Sequence, residues 1–158
     1  MSCAYELARQ GAGKIILFDK QNTASGTTGG SAGVICLHNM GELYASFTLV
    51  GYARIQELRR KHQFEFHPWG TLSLVYEPET FPPEPDIYDL RFGCGGRESI
   101  HYHEYLTPSA LKRRYPWIKL EQVKGGIFYP NQGFLDPYQL VSLYERLALD
   151  TGRVEIHR

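Results

Sequence analysis

The sequence predicts an α/β chain: part of a doubly wound parallel fold joined to part of an antiparallel α+β domain. Three observations carry that prediction. A short helix leads at once into KIILFD, residues 14–19, four consecutive apolar residues that end at an acid. Such a run suits a strand buried on both faces, as in a parallel sheet. Alternating apolar positions then appear at Leu72, Leu74 and Tyr76, the period of a strand with one covered face. A capped helix beginning at Asp136 and a strand at 154–156 follow, so helical and strand patterns alternate to the end.

In chain order, Ala4, Leu7 and Ala8 form the apolar face of the first helix, and Gly11 stands where it should end. A helix followed by a parallel-type strand is the second half of a βαβ unit whose first strand lies outside this sequence. Residues 21–34, QNTASGTTGGSAGV, are almost entirely small or hydroxylated and read as a loop. From Tyr44 a helix is expected, with Phe47, Gly51, Ile55 and Leu58 on the same face. Residues 64–77 read as an antiparallel strand pair around Gly70. The proline-rich stretch 78–86 reads as a connection, and Cys94–Gly95–Gly96 as a second loose point.

Thr107 and Pro108 start a helix that Pro116 stops. Asp136 is an N-cap and Pro137 a first-turn proline, with Gln139 placed to close a capping box. Leu140, Leu143 and Leu147 line the apolar face of that helix, and Gly152 ends it.

Composition excludes several classes of function. Seventeen basic residues balance seventeen acidic ones, so no net field draws the chain to nucleic acid or to a membrane surface. The short basic runs at Arg59–Arg60–Lys61 and Lys112–Arg113–Arg114 read as solvated helix faces. No apolar run approaches the roughly 18 residues of a membrane span, and residues 1–10 lack the basic-then-apolar order of a secretory signal. Cys3, Cys36 and Cys94 are odd in number and widely spaced, which favours a reducing compartment over a disulfide framework. His101, His103 and Glu104 share a strand region without a third ligand at metal spacing, so no metal site is expected.

The chemistry concentrates in residues 19–33. In a dinucleotide-binding βαβ unit, three glycines precede the first helix, and an acid about 20 residues further on accepts hydrogen bonds from the adenosine ribose. Asp19 stands where that acid would, and counting back places the glycines before Met1. Small residues let backbone N–H groups approach a phosphate, and hydroxyls add donors.

MSCAYELARQGAGKIILFDKQ followed by TASGTTGGSAGVI resembles the opening of the D-amino-acid oxidase superfamily of flavoproteins. Its glycine oxidase, sarcosine oxidase and dimethylglycine dehydrogenase branch is the most similar. LTPSALKRRYPW (106–117) and GGIFYPNQGFLDPY (125–138) resemble later segments of the same family, and 77–101 resembles it least. The resemblance implies a Rossmann-like FAD-binding fold, seen as an amino-terminal fragment without its first strand and G-x-G-x-x-G run. Residues 1–40 would belong to the FAD-binding domain and 41–135 to the substrate domain and its connections. Residues 136–158 would form a helix and strand returning toward the FAD-binding domain.

Residue by residue, the resemblance implies that Asp19 binds the adenosine ribose and that Lys20 lies beside the adenine. Ser25, Thr27, Thr28, Gly29, Gly30, Ser31, Ala32 and Gly33 would wrap the pyrophosphate and flavin. Dimethylglycine dehydrogenase-like relatives carry a covalently flavinylated histidine in this loop, whereas Gly30 holds that place here. Non-covalent FAD is therefore expected at this loop.

The reaction implied is oxidation of the C–N bond of an amino acid or N-methylated amine, with hydride passing to the flavin. No catalytic residue is assigned, and the compartment, cytoplasmic or mitochondrial, is left open. The alternative is a non-catalytic remnant or isoform acting through protein association, because an uncovered sheet position is a template for pairing.

Overall fold

The computed structural model describes residues 1–35, 42–77 and 102–158, with no side-chain description at 42–46. The expectations for Cys36, 78–86, Cys94–Gly96 and His101 concern positions outside the described residues. The chain divides into two units. Unit 1 takes in Met1–Val34, Glu57–Phe66 and Leu135–Arg158, and unit 2 takes in Ile35–Gln56 and His67–Phe134.

Unit 1 opens with helix α1 (Ser2–Arg9), whose small buried residues Ala4 and Ala8 let it lie close to its neighbours. Gly11, at φ +80°, turns the chain out of the helix in a conformation that costs glycine little. Strand β1 (Ile15–Phe18) follows and pairs in parallel with the last strand, β8 (Val154–His157), in the register Ile15↔Val154 to Phe18↔His157. Its core joins Ala4 and Ala8 to Ala148 and Val154, with Tyr5, Ile15, Leu17 and Ile156 packed around them.

The expectation of a strand buried on both faces holds for one face only. Ile15 and Leu17 meet the helices, while Ile16 is 50% and Phe18 78% exposed. Among the described residues β1 has only β8 as a strand partner, and nothing covers its second face. Leu7, expected on the inner face of α1, is likewise exposed.

Helix α4 (Pro137–Asp150) is capped as its sequence predicts, Asp136 Oδ1 accepting from the N–H groups of Tyr138 (2.8 Å) and Gln139 (3.4 Å). The expected capping box is not closed. Gln139 Oε1 instead accepts a hydrogen bond from the Glu65 N–H at 3.4 Å. Leu143 and Ala148 are the buried residues of this helix, and Leu140 and Leu147 are half-buried.

Unit 2 is built around an antiparallel sheet in the order β4 (Thr71–Val75), β6 (Gly125–Tyr129), β5 (Glu104–Leu106). Helix α3 (Pro108–Arg114) is capped by Thr107, which accepts from the Ala110 N–H. It seats Leu111, fully buried, where Gly126 has no side chain: a Cβ there would lie 3.0 Å from Leu111 and 3.1 Å from Leu72. Val75, Val123, Ile127 and Phe128 are the other buried apolar residues around this sheet. Arg114 lies 4.1 Å from the Phe128 ring centroid and pairs with Glu104 at 2.8 Å.

Three short strands, β2 (Val34–Ile35), β7 (Gly133–Leu135) and β3 (Phe66–His67), pair in that order. The strand pair expected over 64–77 is thereby corrected. Both strands form, yet β3 lies against β7 and β4 against β6. Gly70, at φ +80° with its N–H on Gln132 O (2.9 Å), redirects the chain without folding it back. Gly133 allows the close approach of β3, since a Cβ there would sit 2.0 Å from His67 O.

Helix α2 (Glu42–His62) forms where a helix was expected. Of its predicted inner face, Leu58 is buried, whereas Phe47 and Gly51 are exposed. Among the described residues no helix is long and apolar enough to cross a membrane.

Candidate cofactor site

Parallel pairing of β1 with β8 fixes where the acid stands. The Ile15 N–H donates to Arg153 O (2.8 Å) at one end and the Asp19 N–H to His157 O (2.9 Å) at the other. Asp19 thus sits at the carboxyl edge of the sheet, the edge at which open α/β sheets take their ligands. It is exposed, and its Oδ1 accepts from the Gln21 N–H at 3.2 Å, which turns the chain into the loop. Lys20 is exposed beside it. Phe18 and His157, a cross-strand pair, stack with their ring centroids 5.3 Å apart on the uncovered face.

Residues 21–33 form a chain of tight turns. Ser25 Oγ reaches Asn22 O (2.7 Å) and Gln21 Oε1 (3.1 Å). The N–H groups of Gly29 and Gly30 both donate to Gly26 O, that of Ser31 to Thr28 O, and that of Gly33 to Ser31 Oγ. The glycines divide into two kinds. A Cβ on Gly29 would lie 1.9 Å from Ala24 O and 2.7 Å from the Tyr138 hydroxyl. At Gly33, with φ +68°, it would lie 2.0 Å from Leu135 O. These two are required by the packing of the loop against itself at Ala24 and against Tyr138 and Leu135. Gly26 and Gly30 face open space, the nearest atom to a Cβ on Gly30 being Thr27 O at 3.7 Å. Thr27, Thr28, Ser31 and Ala32 are exposed.

The loop is fastened to the end of β7, to α4 and to Arg158. At its end, the Leu135 N–H donates to Gly33 O (3.0 Å). In its middle, Gly29 lies under Tyr138. At its start, Thr23 Oγ1 donates to Glu145 Oε2 and accepts from Arg158 Nη2 at 2.6 Å, and Arg158 also donates to Glu145 Oε1. The hydrogen bond from Thr23 and the Arg158 guanidinium hold the Glu145 carboxyl below the ordinary value of 4.5. Thr23, Tyr138, Glu145 and Arg158 were not foreseen. Thr23 and Glu145 are 122 positions apart, and no local pattern links them.

A cleft of about 480 Å³ lies at the other, amino-terminal edge of the pair, lined by Gly13, Lys14, Gly152, Arg153, Val154 and Glu155. Glu155 is held below the ordinary carboxylate value by its hydrogen bond and charge pairing with Lys14, 2.7 Å away. This cleft is at the wrong edge for a nucleotide cofactor. Among the described residues no three His, Cys, Asp or Glu side chains converge on a possible metal position.

The model of the family described as "DAO: FAD dependent oxidoreductase" matches residues 1–158, the whole chain. The chain belongs to that family. Rat (Rattus norvegicus) mitochondrial dimethylglycine dehydrogenase is 26% identical over 159 residues, covering 96% of this chain and 17% of its own length. Glycine oxidase from Bacillus cereus superposes with a TM-score of 0.67 at 20% identity, over 99% of this chain and 42% of that one. L-Amino acid deaminase from Proteus myxofaciens gives a TM-score of 0.77 at 14% identity, over 98% and 34%. At those identities the likeness of the two structures is one of fold. This chain thus spans less than half the length of each relative. The DAO family depends on FAD, and the exposed acid, the small-residue loop and the open space at Gly26 and Gly30 fit the adenosine and phosphate end of that cofactor.

Proposed function

We propose that this chain supplies part of the FAD site of an oxidoreductase acting on the C–N bond of an amino acid or N-methylated amine. One observation carries the reading. An exposed acid ends a parallel strand and leads directly into a turn-rich loop of small residues. In the proposal Asp19 accepts hydrogen bonds from the adenosine ribose, and Lys20 flanks the adenine. Ser25, Thr27, Thr28, Gly29, Gly30, Ser31, Ala32 and Gly33 surround the pyrophosphate and flavin. Bound FAD would supply the hydride acceptor, which no protein side chain can replace.

With Gly30 in the place of a flavinylated histidine, attachment at this loop is non-covalent. Residues 1–40 then belong to the FAD-binding domain, 41–135 lead through the substrate domain, and 136–158 return. An amine substrate fits the relatives, dimethylglycine dehydrogenase and glycine oxidase among them.

The test is a titration of the purified protein with FAD, followed by flavin fluorescence. N-methylated glycines and free amino acids are then added without oxygen, with loss of the oxidised flavin's visible absorbance as the readout. Asp19→Asn should raise the FAD Kd about tenfold, the loss of a charge-assisted hydrogen bond. A wild-type protein with no affinity for FAD would overturn the proposal.

A second reading has its own observation, the uncovered β1 face with Phe18 exposed. On that reading the chain is non-catalytic and acts through association at this strand. Sedimentation separates the two: a flavin-free dimer or complex supports the second, and a flavin-binding monomer removes it.

A further inference from the structure

We infer that Thr23, Glu145 and Arg158 form a clasp that positions the cofactor loop, with Glu145 as its central residue. The inference rests on the FAD reading above, and concerns groups that touch the loop rather than the cofactor.

The loop leaves β1 at Asp19 and regains regular structure at Val34. Its turns are bonded mainly to themselves, so their shape is locally set while their placement is not. The end is held by the Leu135–Gly33 hydrogen bond and the middle by Tyr138. The start is held by side chains alone. Glu145 projects from the third turn of α4 and uses both carboxylate oxygens, one for the Thr23 hydroxyl and one for the Arg158 guanidinium. Arg158 closes the ring by donating to Thr23. With the Glu145 side chain only 20% exposed, these are charge-assisted hydrogen bonds in a partly dry setting, stronger than an exposed pair.

Three residues separate Asp19 from Thr23. Fixing Thr23 therefore fixes where the loop departs from the ribose acid, and with it the path to Gly26 and Gly30, where backbone can approach a phosphate. A released start would leave the loop its internal turns and its hold at Gly33, but let it swing. Binding would then have to order it, which costs affinity.

Thr23→Val removes the hydroxyl at nearly constant shape, and Thr23→Ser restores it. Hydrogen exchange of the cofactor-free protein should show faster exchange over residues 20–33 in Thr23→Val, with α3 and β6 unchanged and Thr23→Ser like wild type. The FAD Kd should rise about tenfold in Thr23→Val and in Glu145→Gln, and by less than about twofold in Thr23→Ser. Unchanged loop exchange in Thr23→Val overturns the clasp. Faster loop exchange with unchanged FAD affinity overturns its positioning role. If wild type itself takes no FAD, the functional reading falls and this inference with it. If wild type binds FAD and Thr23→Val binds equally well, the positioning role is lost and the functional reading stands.

Discussion

Units 1 and 2 each place a small sheet against helices, and they differ in how much of the sheet is covered. In unit 2 the central strand β6 is buried from Gly125 to Phe128, with Leu111 of α3 filling the space that Gly126 leaves. In unit 1 the two-stranded parallel sheet has Ala4, Ala8 and Ala148 on one side and open surface on the other, where Ile16 and Phe18 stand out. A parallel strand is apolar on both faces because it is meant to be covered on both. An antiparallel strand can rest with one face wet. Unit 1 therefore carries apolar residues whose burial the described residues do not provide.

The largest predicted effect comes from breaking that contrast. Leu111→Ala should destabilise the protein by about 2–5 kcal/mol, the range for emptying a fully buried leucine site. Phe18→Ser, a larger loss of apolar area on paper, should change stability by no more than about 0.5 kcal/mol, because the ring is already in water. Urea unfolding of both variants checks this. A Phe18→Ser variant as damaged as Leu111→Ala would mean that the outer face of β1 is covered in solution.

A smaller effect compares the two helix caps. Asp136 accepts from two N–H groups, the nearer at 2.8 Å, while Thr107 accepts from one at 3.3 Å. Asp136→Ala should cost about 1–2 kcal/mol and Thr107→Ala about 0.5–1 kcal/mol, within the range measured for N-caps. Equal losses would show that the second hydrogen bond at Asp136 adds nothing. Because α4 also bears Tyr138 and Glu145, Asp136→Ala should loosen the loop as well, which exchange over residues 20–33 would reveal.

Local signals in the sequence were strong where the physics is local. Both proline-assisted caps, the glycine stop after α1 and the apolar run of β1 were legible, since each depends on a few neighbouring residues. Pairing was not. Residues 64–77 contain two strands separated by a glycine, as a hairpin would, yet their partners lie some 60 residues away in β7 and β6. What redirects them is the absence of side chains at Gly70 and Gly133, whose meaning depends on what comes close. The loop was legible as a small-residue loop. That Gly29 and Gly33 serve its packing while Gly26 and Gly30 face outward was not, because Tyr138 and Leu135 are more than 100 positions away.

The smallest predicted effect concerns acid, and it sharpens the comparison because Glu145 and Glu155, both held below the ordinary carboxylate value, lie in unit 1. A carboxyl whose folded pKa is depressed contributes stability that is full above its unfolded value near 4.5. That contribution is lost as pH falls through the folded value. The hydrogen bond from the Thr23 hydroxyl is the largest cause of the Glu145 shift, and the Arg158 guanidinium adds to it. Glu155 is exposed with Lys14, so salt screens that pair and its share is small. Thermal midpoints of wild type and Glu145→Gln should therefore differ most near neutral pH and converge as pH drops below the ordinary carboxylate value. Hydrogen exchange should show the wild-type loop loosening over the same interval while β6 stays protected. A gap between the two midpoints that persists unchanged into acid would mean that Glu145 acts by shape alone, and that its charge does not hold the loop.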